Sequence, residues 1–284
     1  MLISYLQGLF HHGKAVAIAH VVIAGGLIAS SSSSSPLSMI RHPNNAAAVT
    51  TSTTTNGCRE LDGFCWQLTQ ATGIPVSILP GKDDPTTANW PQRPLHKSLL
   101  PRSSSSSLLS RSPNPYAATF SVTDGTTAAA NTPTSTTRRY VLGTDGTNVA
   151  DLRSKTMGGG ATAAISELQA LQNTLAYQHV CPTGPDSVPT APHAETDPMV
   201  LLAGAQQQQQ QPSVYFAGGC TRFATRLVAV QTAAAKVTAA TPATVSPQHL
   251  CRLVCVPKFI DTSTAVLVNL DTLAVELLRF EASS

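Results

Sequence analysis

The chain has 284 residues, 42% of them apolar and only 12% charged, with a net charge of +3. A sizeable core fits that length, while charge falls to about half its usual share and Ser, Thr, Ala, Pro and Gln make up the difference. The thin positive balance is densest at Arg138–Arg139, and no long Lys/Arg stripe interleaved with aromatics marks the chain as a nucleic-acid-binding module in its own right.

Ile3 to Phe10 reads as the end of a helix. Ala15 to Ala29 is an apolar run, short of the about 20 residues that a spanning helix needs. Lys14 before it and Ala/Ser after it leave a secretory signal open as a reading. His20 and Gly25–Gly26 interrupt the run, and VVIAGG favours a buried strand entering a glycine turn, His20 to Ala24. Ser30 to Asn56 is a loop.

Cys58, Leu61, Cys65 and Leu68 recur at helical spacing, with Phe64 and Trp66 alongside. They predict an amphipathic helix from Gly57 to Ala71, closed by Gly73. Pro75 to Leu79 is a buried strand ending on Pro80–Gly81, and 82–113 is Pro-rich and irregular. Tyr116 to Val122 and Arg139 to Gly143 pair as strands across a Thr/Ala-rich insertion, Asp124 to Thr137. Asp145–Gly146 signals a turn, after which Asn148 caps a short helix through Lys155. Ala164, Leu168, Leu171 and Leu175 stripe a helix over Thr162 to Gln178. After a Pro-rich loop and a Gln tract come strands at Val214–Ala217, Leu250–Val256, Ala265–Leu270 and Ala274–Phe280. Strands and helices alternate early and strands dominate late, as in a sheet-rich, layered α/β domain.

Low-complexity stretches bury too little apolar surface to offset chain entropy. Segments 30–56, 102–112, 124–137, 203–212 and 232–248 are therefore expected to be disordered insertions in a single domain spanning 1–284. None of the six cysteines forms a C-x-x-C pair. Cys251 and Cys255 sit ~13 Å apart on one strand face, too far for a disulfide. Free buried thiols in a reducing compartment are the expectation.

Several segments, in order, carry a family resemblance: HVVIAGGLIAS (His20 to Ser30), IPVSILPGKDDPTTANWPQRPLHKSLLP (Ile74 to Pro101), SPNPYAATF (Ser112 to Phe120), YVLGTDGTNVADL (Tyr140 to Leu152), HVCPTGPDSVP (His179 to Pro189), ETDPMVL (Glu195 to Leu201), SVYFAGGCTRFATRLV (Ser213 to Val228) and CRLVCVPKFIDTSTAVLVNLDTL (Cys251 to Leu273). With these the chain resembles the small, non-catalytic B subunits of replicative DNA polymerases (the alpha/delta/epsilon B-subunit family), nearest to the polymerase delta branch. Nothing resembles the oligonucleotide-binding-type domain with which that family begins, nor the strands that open its larger domain. The expectation is therefore a fragment, or the product of incomplete gene prediction.

The resemblance implies a metallophosphoesterase-like layered β-sandwich flanked by helices, incomplete at its N-terminus and lacking its active site. Calcineurin-type relatives of that fold hold two metals on loops after strands. Such an enzyme would follow Gly25 with a bridging Asp, where Gly26 stands here. It would read Gly-Asn-His-Asp at 81–84, where Gly81, Lys82, Asp83 and Asp84 stand, and Gly-His-x-His from Gly218, where Gly219, Cys220 and Thr221 follow. A rearranged site from Asp83, Asp84, His96, His179 and His193 is the alternative. Against it, Asp83–Asp84 before Pro85 suits a turn, His193 lies in a Pro-rich loop, and His96 and His179 sit beside apolar residues as structural groups do. MGGGA at Gly158–Gly160 lacks the Lys of a phosphate loop, and no G-x-S-x-G elbow occurs.

The resemblance thus implies no metal, no cofactor, no catalysis and no membrane. It implies a nuclear scaffold that docks the C-terminal domain of the polymerase delta catalytic subunit and a further accessory subunit, with DNA touched only indirectly or weakly. The rivals are an active metal-dependent phosphoesterase with atypical ligands and a secreted or anchored protein led by residues 1–29.

Overall fold

The computed structural model describes residues 2–8, 18–28, 46–123, 136–156, 165–191, 197–201, 211–230 and 250–280. Its contacts divide the chain into two units, Met1–Asn114 and Pro115–Ser284. Both mix sheet and helix, several sheets with few helices, which is the α/β class read from the sequence.

In the first unit, helix α1 (Leu2–Leu6) precedes strand β1 (Val21–Ala24), helix α2 (Ala46–Thr72), β2 (Val76–Leu79) and β3 (Leu109–Arg111). The three strands form a parallel sheet in the order β1-β2-β3, Val21 facing Val76 and Val76 facing Leu109. Parallel neighbours need a long crossover, and α2 supplies the one between β1 and β2. Its stripe of Cys58, Leu61, Cys65 and Leu68 packs with Val76, Ile78, Leu95 and Leu100 in one core. Gly73 ends it at φ +67°, its N–H reaching Thr69 O at 3.0 Å; only glycine takes that conformation without strain. All of β2 is buried, whereas β1 is half-buried along its length rather than the buried strand expected.

Two further expectations are corrected in this unit. The helix begins at Ala46, within what read as a loop, although TTSTTT is a poor helix former on its own. The 102–112 segment is not a disordered insertion: Ser103–Ser105 forms a 3-10 turn and Leu109–Arg111 is β3. Asp62 on α2 is the reason. Its carboxylate accepts from Ser103 N (2.8 Å), Ser103 Oγ (2.6 Å) and Arg102 N (3.1 Å), and Arg102 lies over Trp66, 5.6 Å from the ring centre. Residues 30–45 of the first expected insertion, 124–135, 202–210 and 231–249 lie outside the described residues.

The second unit is built on a five-stranded mixed sheet, ordered β4 (Tyr116–Thr123), β5 (Thr136–Thr144), β6 (Val214–Cys220), β8 (Leu250–Pro257), β7 (Ala224–Ala229). The central pairs β5/β6 and β6/β8 are parallel, and both edge pairs are antiparallel. Helices α3 (Thr147–Thr156) and α4 (Glu167–Ala176) pack on β6, and α4 also meets β7 and β8. After a short turn, α5 (Phe259–Thr262), β9 (Thr264–Val268) and β10 (Val275–Arg279) follow, the two strands forming an antiparallel hairpin. Arg252 Nε ties the hairpin loop down through Leu273 O at 2.7 Å.

Asn148 does not cap α3. It lies inside the helix, fully buried, accepting from Thr144 Oγ1 (2.9 Å) and donating to Val180 O (2.7 Å). It thereby joins β5, α3 and the loop after α4. Ser166 caps α4 by accepting from Gln169 N at 3.1 Å, four residues later than the predicted start at Thr162. Strands β3 and β7 were not expected. β3 has only three residues and β7 presents an irregular burial pattern, so neither shows a period. No helix among the described residues is long and apolar enough to cross a membrane.

Candidate metal-loop site

Three loops after strands carry the positions that the sequence resemblance marks as counterparts of metal ligands. Two lie in the first unit. β1 delivers Gly25 and Gly26, both left-handed at φ +70° and +59°. Gly25 N–H closes on Leu79 O at 3.0 Å. A Cβ on Gly26 would meet nothing within 4 Å. Space for a side chain exists there, but the backbone conformation favours glycine.

β2 delivers Gly81 to Asp84. Lys82 and Asp83 are exposed, whereas Asp84 is 6% exposed. Its carboxylate accepts three backbone N–H groups: Gly81 at 2.7 Å, Ile28 at 2.9 Å and Leu27 at 3.2 Å. A carboxylate expected from sequence to decorate a turn therefore brackets the loop after β1 to the loop after β2. A carboxylate aimed at three backbone donors directs its lone pairs at protein hydrogens. Gln92, also buried, adds a donor to Gly81 O at 3.3 Å and accepts from Asn114 Nδ2 at 2.8 Å. Burial first, and then the charge of Asp84, push the Cys58 thiol above its ordinary range.

The third loop belongs to the second unit. Gly218 and Gly219 sit where β6 bulges against β8, between the Ala217↔Cys255 and Cys220↔Pro257 pairs. They lie against the Asp145–Gly146 turn. A Cβ on Gly146 would stand 2.0 Å from Gly218 O, and one on Gly219, at φ +60°, would stand 2.9 Å from Asp145 O. The two turns are thus packed too closely for side chains at Gly146 or Gly219. Thr221 is held by the Glu167 carboxylate, which accepts from Thr221 N (3.0 Å to each oxygen) and Thr221 Oγ1 (2.9 Å).

The remaining candidates are scattered. His96 caps the 3-10 turn at Lys97–Leu99 and bonds Ser98 Oγ at 2.7 Å. His179 accepts from Cys181 N through Nδ1 at 3.1 Å and meets Asp197 through Nε2 at 3.0 Å, the neutral-ring pattern with the proton on Nε2. His20 bonds Ser77 Oγ at 2.8 Å, and burial lowers its pKa. His193 lies outside the described residues. Among the described residues no three His, Cys, Asp or Glu side chains gather as a metal group.

Cys58, Cys65, Cys181, Cys220 and Cys251 are poor nucleophiles. All six thiols are free and buried. Burial, with the Asp62 charge second, pushes Cys65 to about 12, and burial pushes Cys251 to about 12. Cys181 is raised to about 11, again chiefly by burial. Cys220 is raised by its hydrogen bond to Cys255 and then by burial. The thiolate is the reactive form, so these groups stay protonated at neutral pH. Sequence reasoning missed the Cys220–Cys255 contact, which the bulge at Gly218–Gly219 creates. It also missed Asp62 and Glu167, whose roles as acceptors depend on residues 41 and 54 positions away.

The model of the DNA polymerase alpha/epsilon B-subunit family matches residues 2–225, all three loops included. The chain belongs to this family. Family relatives similar to it include DNA polymerase delta subunit 2 of Drosophila melanogaster, 32% identical over 219 residues, which cover 77% of this chain and 41% of the fly protein. The DNA polymerase delta small subunit of Arabidopsis thaliana is 32% identical over 222 residues, 78% of this chain and 40% of the relative. That of Saccharomyces cerevisiae is 25% identical over 232 residues, 73% and 40% of the two. The chain thus spans about two-fifths of the length of these relatives, and the B-subunit resemblance carried by its sequence motifs is upheld.

Proposed function

We propose that the chain acts as a non-catalytic scaffold of the polymerase delta complex in the nucleus. It holds the C-terminal domain of the catalytic subunit and a further accessory subunit, and touches DNA only indirectly or weakly. Its kinship to the delta small subunits supports this reading. One observation in the site favours a scaffold over an enzyme: Asp84, the best-placed carboxylate in the loops, spends its oxygens on three backbone N–H groups. We place the fold with the metallophosphoesterases, its metal loops converted to brackets. A docking subunit in a lasting assembly typically buries over ~2,000 Å², which a rigid sheet scaffold presents without ordering cost.

Co-expression with the polymerase delta catalytic subunit is the test. Stoichiometric co-elution is expected. A folded chain that elutes alone would sink the reading. In parallel, a generic aryl phosphodiester with manganese should show no turnover. Hydrolysis abolished by Asp84→Ala would establish the active-phosphoesterase rival instead.

A further inference from the structure

The far edge of the five-stranded sheet has features of a docking strand. We propose that β7 accepts, by strand addition, an extended acidic segment of a partner polypeptide. This deepens the scaffold reading and rests on it.

The strand order places β7 at the end of the sheet, paired to β8 on one side and to no strand on the other among the described residues. Such an edge presents a row of backbone donors and acceptors, and edges that must stay unpaired are broken by prolines, bulges or short length. β7 has six residues without proline, in unbroken register with β8 from Ala224↔Cys255 to Ala229↔Leu250. Leu227 on it is 42% exposed.

The charge selects the occupant. Arg222 and Arg226 are exposed, and neither forms an ion pair with a carboxylate among the described residues. Arg226 instead donates to the neutral oxygens of Gln172, at 2.5 Å, and Gln169, at 3.4 Å. At the start of β7 a cleft of about 340 Å³ opens between Glu167, Leu168, Arg222 and Phe223. The Glu167 carboxylate there keeps its charge but is turned to the Thr221 N–H and hydroxyl, and with Arg222 and Arg226 beside it this end of the edge is left net positive. An extended segment with alternating carboxylates and apolar residues meets these features: the backbone edge, the arginines, and Leu168 and Phe223 as the apolar part of the cleft's lining. Residues 231–249 of this chain contain no Asp or Glu and one Lys, so they do not supply the charge. Nucleic acid fits less well, because two arginines and one aromatic make neither a phosphate track nor a stacking platform.

The test uses the full chain and a fluorescein-labelled peptide of alternating valine and glutamate, read by anisotropy and by amide exchange. Binding that slows exchange at 224–229 is expected, with about tenfold loss in R222E/R226E and no binding of the valine–lysine peptide. Equal binding of both peptides, protection elsewhere than β7, or indifference to R222E/R226E overturns the proposal. R222Q/R226Q, which introduces no repulsion, should weaken binding in the same direction, and unchanged affinity overturns it. Oligothymidylate that binds in place of the peptide and is lost in R222E/R226E also overturns it. Co-elution with the polymerase catalytic subunit, measured in parallel, separates the readings: co-elution without peptide protection of β7 overturns the edge assignment alone, whereas absent co-elution strikes the scaffold reading.

Discussion

The loops at Gly25–Asp84 and at Gly218–Thr221 stand in the same family context yet are held by different physics. In the first unit a buried charge gathers backbone donors, so the arrangement depends on one carboxylate and its hydrogen bonds. In the second, the backbone of Asp145–Gly146 is pressed against Gly218–Gly219, and the arrangement depends on side chains being absent. Charge brackets fail when an acceptor is lost or protonated; steric packing fails when a single methyl is added. The comparison shows two routes by which strand-end loops are made rigid.

Adding that methyl should have the largest effect. Gly146→Ala places Cβ 2.0 Å from a carbonyl oxygen at φ +89°, and backbone is not free to move aside as a side-chain tip would. A loss of about 4 kcal/mol follows from strain and overpacking together, read as a fall in the urea midpoint; an unchanged midpoint would show that the two loops do not touch. Asp84→Ala comes next. It strands three largely buried N–H groups and should cost about 3 kcal/mol. The local signature is faster amide exchange at Leu27, Ile28 and Gly81, while exchange across β6 stays as it was. If only global stability changes, the bracket is not local.

A second carboxylate sharpens the charge side of the comparison through pH. Burial raises the Asp62 pKa, but the Ser103 hydroxyl and N–H, the Arg102 N–H and the Arg102 charge outweigh it, so the carboxyl lies below its usual range. Its contribution to stability is complete above the unfolded-chain value of about 4 and is lost as the pH falls through the lower folded value. Asp62→Asn should remove this part of the acid limb and leave stability between neutral and alkaline pH flat by comparison. A wild-type-like acid limb in the variant would refute the bracket. The smallest effect is expected at Glu167→Gln, which keeps an acceptor for Thr221 but removes the charge at a half-buried, solvent-reached site: below about 1 kcal/mol, and reduced further by salt.

Much of the scaffold was legible along the chain, and what escaped did so for identifiable reasons. Cys58, Leu61, Cys65 and Leu68 announce α2 because a buried helical face repeats regularly, and the strand at Pro75–Leu79 announces itself as an unbroken apolar run between breakers. The first turns of α2 did not, since Thr-rich sequence carries no such stripe. The Ser tract at 103–107 looked disordered by composition. It is ordered by an acceptor on a helix 41 residues upstream. Asn148 had the residue type of a cap but lies within the first turn of α3, where its buried amide joins three elements at once. In the candidate site, that Gly26 and Gly219 bring no side chain to their loops could be read from residue identity. That Asp84 faces inward and Asp83 outward could not.

By itself the sequence determined the α/β alternation, the family and the positions of the three loops. Each follows from residue type, period or local order, all of which travel with the chain. Only the tertiary structure decided what the loops' polar groups do. A carboxylate has no preference among a metal, water and a backbone amide until folding sets which stands within hydrogen-bond distance, and for Asp84 those partners come from Leu27 and Ile28 on another strand's loop.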